Sequence, residues 1–164
     1  MLHLTTDISD SLGDDARAAN PGFSDYGART VFCGPISTVK CHEDNSLVRA
    51  SLEQPGDGRV LVVDGGASMH CALLGDMLAT MANQNGWAGI IVNGCIRDSA
   101  EIASINIGVK ARATHPKKSL KRGEGQQDVV VHFAGIDFRP GDYLYADGDG
   151  IVVTSKPVET GVEA

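Results

Sequence analysis

Arg59-Val-Leu-Val-Val-Asp64-Gly65-Gly66 and Gly89-Ile-Ile-Val-Asn93-Gly94 decide the fold of this chain. Each is a short, continuous apolar run closed by glycine, the pattern of a strand buried on both faces. Between them Asp76-Met-Leu-Ala-Thr-Met-Ala-Asn-Gln-Asn85 reads as a helix that Gly86 can end, and Arg97 to Ser104 begins another helical turn. Strand, helix, strand, helix predicts a parallel βαβ core and hence an α/β fold. Ligands in such folds gather beyond the carboxyl ends of the strands. Gly65-Gly66, Gly75-Asp76 and Arg97-Asp98 all fall there.

Toward the N-terminus, Thr6-Asp7-Ile-Ser-Asp10-Ser-Leu12 has the look of a helix capped by Thr6 or Asp7. Ala28 to Cys33 and Ile36 to Cys41 read as two strands split by the turn signal Gly34-Pro35. Asn45 to Glu53 has helical spacing and stops at Pro55-Gly56. Toward the C-terminus the period changes: Val129 to Phe133, Ile136 to Phe138, Tyr143 to Tyr145 and Ile151 to Thr154 read as a β-meander, with Asp147-Gly-Asp149-Gly150 as a hairpin turn.

At 164 residues the chain fits one domain, residues 1–164, with a core of its own. A net charge of -7 and a pI near 5.1 exclude a general binder of nucleic-acid backbone, which needs a basic stripe. The one basic run, Lys117-Lys118-Ser-Leu-Lys121-Arg122, is a solvated loop or an anion site. No secretory signal and no apolar run near the roughly 20 residues of a membrane span occur, so a cytoplasmic location is expected. Cys33, Cys41, Cys71 and Cys95 form no C-x-x-C pair and read as reduced, mostly buried thiols. His42 and His70 adjoin Cys41 and Cys71, but neighbours on a strand point to opposite faces, which argues against a compact metal site.

One constellation carries chemistry. Asp76 is followed after twenty residues by Arg97-Asp98-Ser-Ala-Glu101. Taken singly, Asp76 is a helix cap, Arg97-Asp98 a surface pair and Glu101 a solvated position. Together they join an always-charged cation, a hard oxygen ligand and two more carboxylates beside a glycine turn, the parts that hold a divalent metal and a small oxoacid. Asp64 shapes either a strand-end turn or the floor of that site.

The ordered set Val63-Asp64-Gly65-Gly66, Gly75-Asp76, Asn85 to Gly94, Arg97-Asp98 and Gly141-Asp142-Tyr-Leu-Tyr-Ala-Asp147 with Gly150 resembles one family. It is that of regulator of ribonuclease E activity A (RraA) and the 4-hydroxy-4-methyl-2-oxoglutarate aldolases. The match runs from about Thr5 to Thr154. It implies a swivelling β/β/α domain, assembled as a homotrimer or a dimer of trimers with sites between subunits. Aldolase members are marked by Asp, twenty residues, Arg-Asp, two residues and an acid; regulators lack the acid after the arginine. This chain keeps it.

On that resemblance Asp98 is the direct ligand of a Mg²⁺ or Mn²⁺ ion, and Arg97 meets the oxyanion of the 2-oxo group. Gly75, Asp76, Met77 and Leu78 cradle the substrate carboxylate at a helix N-terminus. Asp76 organises the metal-site water and takes part in removing the hydroxyl proton, while Glu101 holds metal-bound water. Cleavage of the hydroxy acid leaves pyruvate enolate, as does decarboxylation of oxaloacetate, which the family also implies. A Schiff-base route would need a buried lysine, for which Lys40 and Lys110 are the candidates. Longer aldolases draw an extra acid from a C-terminal extension, which a chain ending at Ala164 is expected to lack. The competing expectation is an inhibitor of ribonuclease E acting by protein–protein binding. A methyltransferase is disfavoured, since no G-x-G-x-x-G-like loop follows the first strand.

Overall fold

A computed structural model describes residues 4–159; the end of the chain at Ala164 lies outside the described residues. The elements are α1 (Thr5–Leu12), β1 (Arg17–Ala18), β2 (Ser24–Asp25), β3 (Phe32–Lys40), α2 (Ser46–Leu52), β4 (Val60–Asp64), β5 (Ala72–Leu74) and α3 (Asp76–Gln84). They continue as β6 (Gly89–Ile96), α4 (Ser99–Ile102), β7 (Gly108–Thr114), β8 (Gln126–Gln127), β9 (Val131–Phe133), β10 (Ile136–Phe138), β11 (Tyr143–Asp147) and β12 (Gly150–Thr154).

β3, β4, β6 and β7 lie side by side in that order and run parallel. Parallel neighbours need a crossover after each strand, and α2, α3 and α4 lie in those connections. All three bury onto one face of the sheet, where Val48, Leu52, Leu78 and Ile102 pack with Leu61, Val63, Ile90 and Val92. The alternate residues Val60, Val62 and Ile91 point the other way and pack with Val131, Phe133, Phe138 and Leu144. Both faces are therefore covered, which is why β4 and β6 read as unbroken apolar runs. The result is the mixed α/β domain of three layers, β/β/α, that the sequence led us to expect. No described helix is long and apolar enough to cross a membrane.

Three local readings change. Gly34-Pro35 does not split two strands: β3 runs through it. Phe32–Pro35 pairs antiparallel with β11, and Ile36–Lys40 pairs parallel with β4. Pro35, with no N–H to donate, sits where the strand changes partner. Gly34 lets the Gly58 carbonyl pass where a Cβ would collide with it.

The cap of α1 is neither Thr6 nor Asp7. Asp147, buried in the β11–β12 turn, accepts hydrogen bonds from the Thr5 N–H and hydroxyl, both at 2.7 Å, and from the Asp149 N–H at 2.9 Å. Burial alone would raise the Asp147 carboxyl, but these bonds hold it below the usual carboxylate range. The C-terminal strands, finally, form two hairpins rather than one continuous meander. β9–β10 is a separate two-stranded sheet, while β11–β12 extends the large sheet beyond β3.

Candidate functional site

The ends of β5 and β6 bring the sequence-predicted residues together. The Arg97 N–H donates to the Leu74 carbonyl at 2.9 Å, which sets Arg97 beside Gly75 at the N-terminus of α3. Asp98 then adopts a left-handed backbone, φ 57° and ψ 42°, which Asp tolerates better than most residues. That turn swings its carboxylate back over α3, where Oδ2 accepts the Asp76 N–H at 3.1 Å. Gly75 leaves the room: a Cβ there would lie 2.8 Å from Asp98 Oδ2 and 3.5 Å from the Arg97 side chain. The N–H groups of Met77 and Leu78 belong to the first helical turn, where no intrahelical acceptor exists.

Gly75, Asp76, Met77, Leu78, Arg97 and Asp98 all line one cavity of about 300 Å³. Glu101 is exposed on α4, outside that lining. Asp98 is the N-cap of α4, its carbonyl accepting the Ile102 N–H at 2.9 Å, so Glu101 stands in the first turn beyond it. Asp64 takes the structural alternative, with Oδ1 accepting the Gly66 N–H and the Asn93 side-chain amide, both at 3.0 Å. The Schiff-base candidates lie elsewhere: Lys110 is buried against Asp25 at 3.1 Å, and Lys40 is exposed. His42 and His70 sit in loops rather than on strands, and both approach the Glu43 carboxylate, at 3.6 and 3.4 Å. Cys41, Cys71 and Cys95 are buried and free. Burial first, then the Asp44 and Asp64 charges, push the Cys41 thiol up to about 12.

The cavity also takes in what the sequence left open. Lys118, Ser119 and Lys121 of the basic run line it, with Asn45, Ser46 and Arg49 around the start of α2. The run is fixed by main-chain bonds, Ala72 N–H to Lys117 O at 2.8 Å and Leu120 N–H to Glu43 O at 2.9 Å. Buried Asp44 completes the anchor, accepting from the Ser46 N–H and hydroxyl and from the Arg122 and Glu124 N–H groups. The only sequence signal for this anchor is Asp44-x-Ser46, a short turn pattern. Among the described residues the side chains of Arg97, Lys118 and Lys121 have no hydrogen-bonded or ion-paired partner, whereas that of Arg49 is tied to Glu53 at 3.0 Å. Four cations against two carboxylates make the lining locally positive in a chain of charge -7.

Burial would raise the Asp44 carboxyl, but its four hydrogen bonds outweigh that and bring it down to about 2. A carboxyl depressed on folding stabilises above its ordinary range and loses that contribution as pH falls through its folded value. Asp44→Ala should therefore cost about 2 kcal/mol at pH 7, or about 4–8 °C in melting temperature. Thermal melts of both proteins should show the gap shrinking between about pH 4 and pH 2. A gap independent of pH would contradict this role.

Among the described residues no three His, Cys, Asp or Glu side chains converge as a metal centre. The donors at hand fit one kind of ion. A hard divalent cation such as Mg²⁺ keeps most of its water and is held by one or two carboxylates with substrate oxygens. Asp98 supplies such a carboxylate, fixed in place by the Asp76 N–H.

Comparison with known proteins places this geometry in context. Residues 5–153 match the family model described as RraA-like: Aldolase/RraA. A protein of Alkalilimnicola ehrlichii named "Putative 4-hydroxy-4-methyl-2-oxoglutarate aldolase" is 60% identical over 149 residues, covering 91% of this chain and 92% of the relative. The solved structure of an S-adenosylmethionine: 2-dimethylmenaquinone methyltransferase from Geobacillus kaustophilus superposes with a TM-score of 0.94 at 49% identity, over 95% of this chain and 97% of that one. The RNA-processing inhibitor RraA from Thermus thermophilis also gives 0.94, at 42% identity over 98% of each chain.

Proposed function

The chain belongs to the RraA-like, Aldolase/RraA family, and on that footing we propose that it is a lyase. Specifically, it is a divalent-metal-dependent aldolase cleaving 4-hydroxy-4-methyl-2-oxoglutarate, or a related 4-hydroxy-2-oxo acid, to pyruvate. The observation that carries this reading is the Asp98 carboxylate, held by the Asp76 N–H beside unpaired Arg97 in one cavity. The aldolase name of the 60% identical relative supports it.

The roles follow from where charge develops. The substrate carboxylate lies against the first-turn N–H groups of α3, where Gly75 permits close approach. Cleavage of the bond beyond C3 loads negative charge onto the 2-oxo oxygen, and the Arg97 guanidinium meets it with fixed donors. Asp98 would hold a Mg²⁺ or Mn²⁺ ion, which when bound would supply Lewis acidity for that developing charge. Asp76 orders the water that takes the hydroxyl proton as the C3–C4 bond breaks, and a proton returned from water to C3 turns the enolate into pyruvate. Loss of carbon dioxide from oxaloacetate develops the same charge, so the same residues give a secondary decarboxylase activity. Met77, 75% exposed in the lining, gives the rim an apolar edge. A neighbouring subunit of a homotrimer or hexamer would cover it.

Purified protein should release pyruvate from both substrates with Mg²⁺ or Mn²⁺, and lose that activity on chelation and regain it on adding the ion back. Inactivity with every divalent metal tested would remove the enzymatic reading. A second reading, inhibition of ribonuclease E by protein–protein contact, is favoured by the 42% identical RNA-processing inhibitor RraA. Retention of ribonuclease E on the immobilised chain would support it, and the two activities are compatible. The methyltransferase name of the Geobacillus structure finds no G-x-G-x-x-G-like loop to match after β3, which reaches α2 through Cys41-His-Glu-Asp-Asn45.

A further inference from the structure

We propose that Lys118 and Lys121 are the residues that hold the second carboxylate of the dicarboxylic substrate and so set its preference over monocarboxylic 2-oxo acids. The inference rests on the reading of the cavity as a pyruvate-forming site. That reading uses Gly75 to Leu78, Arg97 and Asp98 for one carboxylate and the 2-oxo group. It leaves a second set of groups in the same lining: Asn45, Ser46, Lys118 and Lys121.

The two lysine ammonium groups have no anionic partner among the described residues, although the chain carries a net charge of -7. Unpaired cations in an acidic protein raise the local potential toward anions. Their side chains are exposed, but the backbone that carries them is held. Main-chain bonds from Ala72 and Leu120 fix the run on either side of Lys118, and Asp44 holds the backbone of Arg122 just beyond Lys121. With the 2-oxo acid end seated on α3, the far carboxylate of a five-carbon diacid has to lie in the rest of a cavity of about 300 Å³. Charge-assisted bonds from two lysines are the strong contacts that part offers.

Isothermal titration of the full chain with Mg²⁺ tests this with two probes that have no carbon–carbon bond for it to cleave. Pyruvate occupies only the inner position, whereas 2-oxoglutarate has the same inner group and adds the distal carboxylate. Wild type should bind 2-oxoglutarate about tenfold or more tightly than pyruvate. In Lys118→Met/Lys121→Met the advantage should fall below about threefold, and Lys118→Arg/Lys121→Arg should restore most of it. An advantage that survives the methionine pair, or is absent in wild type while pyruvate binds, overturns the subsite alone. Failure of pyruvate to bind wild type with any divalent ion overturns the proposed function, and the subsite with it.

Discussion

Asp98→Asn should lower pyruvate formation by about a thousandfold or more, with the melting temperature within a few degrees of wild type. Asparagine matches the shape of aspartate and is among the few residues that accept the left-handed backbone at φ 57°. Its amide oxygen still accepts the Asp76 N–H, now 3.1 Å from Oδ2. What disappears is the negative charge that makes this side chain a ligand for a hard cation. Gly75→Ala approaches the same carboxylate from its other side. The backbone at Gly75 is ordinary extended chain, φ -127°, so alanine introduces no backbone strain; its Cβ simply arrives 2.8 Å from Oδ2. The carboxylate has to yield, and a loss of about ten- to a hundredfold is expected, with a higher metal concentration needed for half-maximal rate. Steady-state rates against metal concentration measure both. Asp98→Asn activity within tenfold of wild type would remove Asp98 from the reaction.

Arg97→Lys is the second large effect, and it should fall on kcat rather than on KM. The guanidinium offers planar, permanently charged donors; lysine offers a flexible point charge. Since the oxyanion develops only along the reaction, a donor aimed at it contributes mostly in the transition state. A kcat loss of about a hundred- to a thousandfold is expected, with KM altered several-fold at most. The Arg97 side chain has no partner among the described residues, so the substitution breaks no ion pair of the fold. A rise in KM with kcat unchanged would reassign Arg97 to ground-state binding.

The parts legible in the sequence are those written locally. β4 and β6 announce themselves because both faces are buried, so each runs apolar up to one buried polar residue, Asp64 or Asn93, before the closing glycine. α3 is visible from its spacing, and Asp76 with Arg97-Asp98 from its position at successive strand ends. What escaped depends on distant contacts. Asp147 caps α1 across 142 residues, so no pattern around Thr5 signals it. Pro35 looked like a breaker because nothing local says that β3 changes partner there. β5 is three residues long, too short for any period. The basic run carried a signal, but its place in the cavity is set by backbone bonds to Asp44, Glu43 and Ala72. Glu101 keeps its place one turn beyond Asp98, in the first turn of α4, but its side chain is exposed outside the cavity lining of this single chain.

Stabilisation of the pyruvate enolate by Arg97 and by an ion held on Asp98 is the central step, whatever hydroxy acid precedes it. Exchange of the pyruvate methyl protons in D₂O, followed by proton NMR, reads that step without any aldol substrate. Wild type with Mg²⁺ or Mn²⁺ should erase the methyl signal far faster than buffer and metal alone, and chelation or Asp98→Asn should return the rate to that background. A folded wild type that exchanges no faster than background with any divalent ion, or an Asp98→Asn protein that exchanges like wild type, would contradict it.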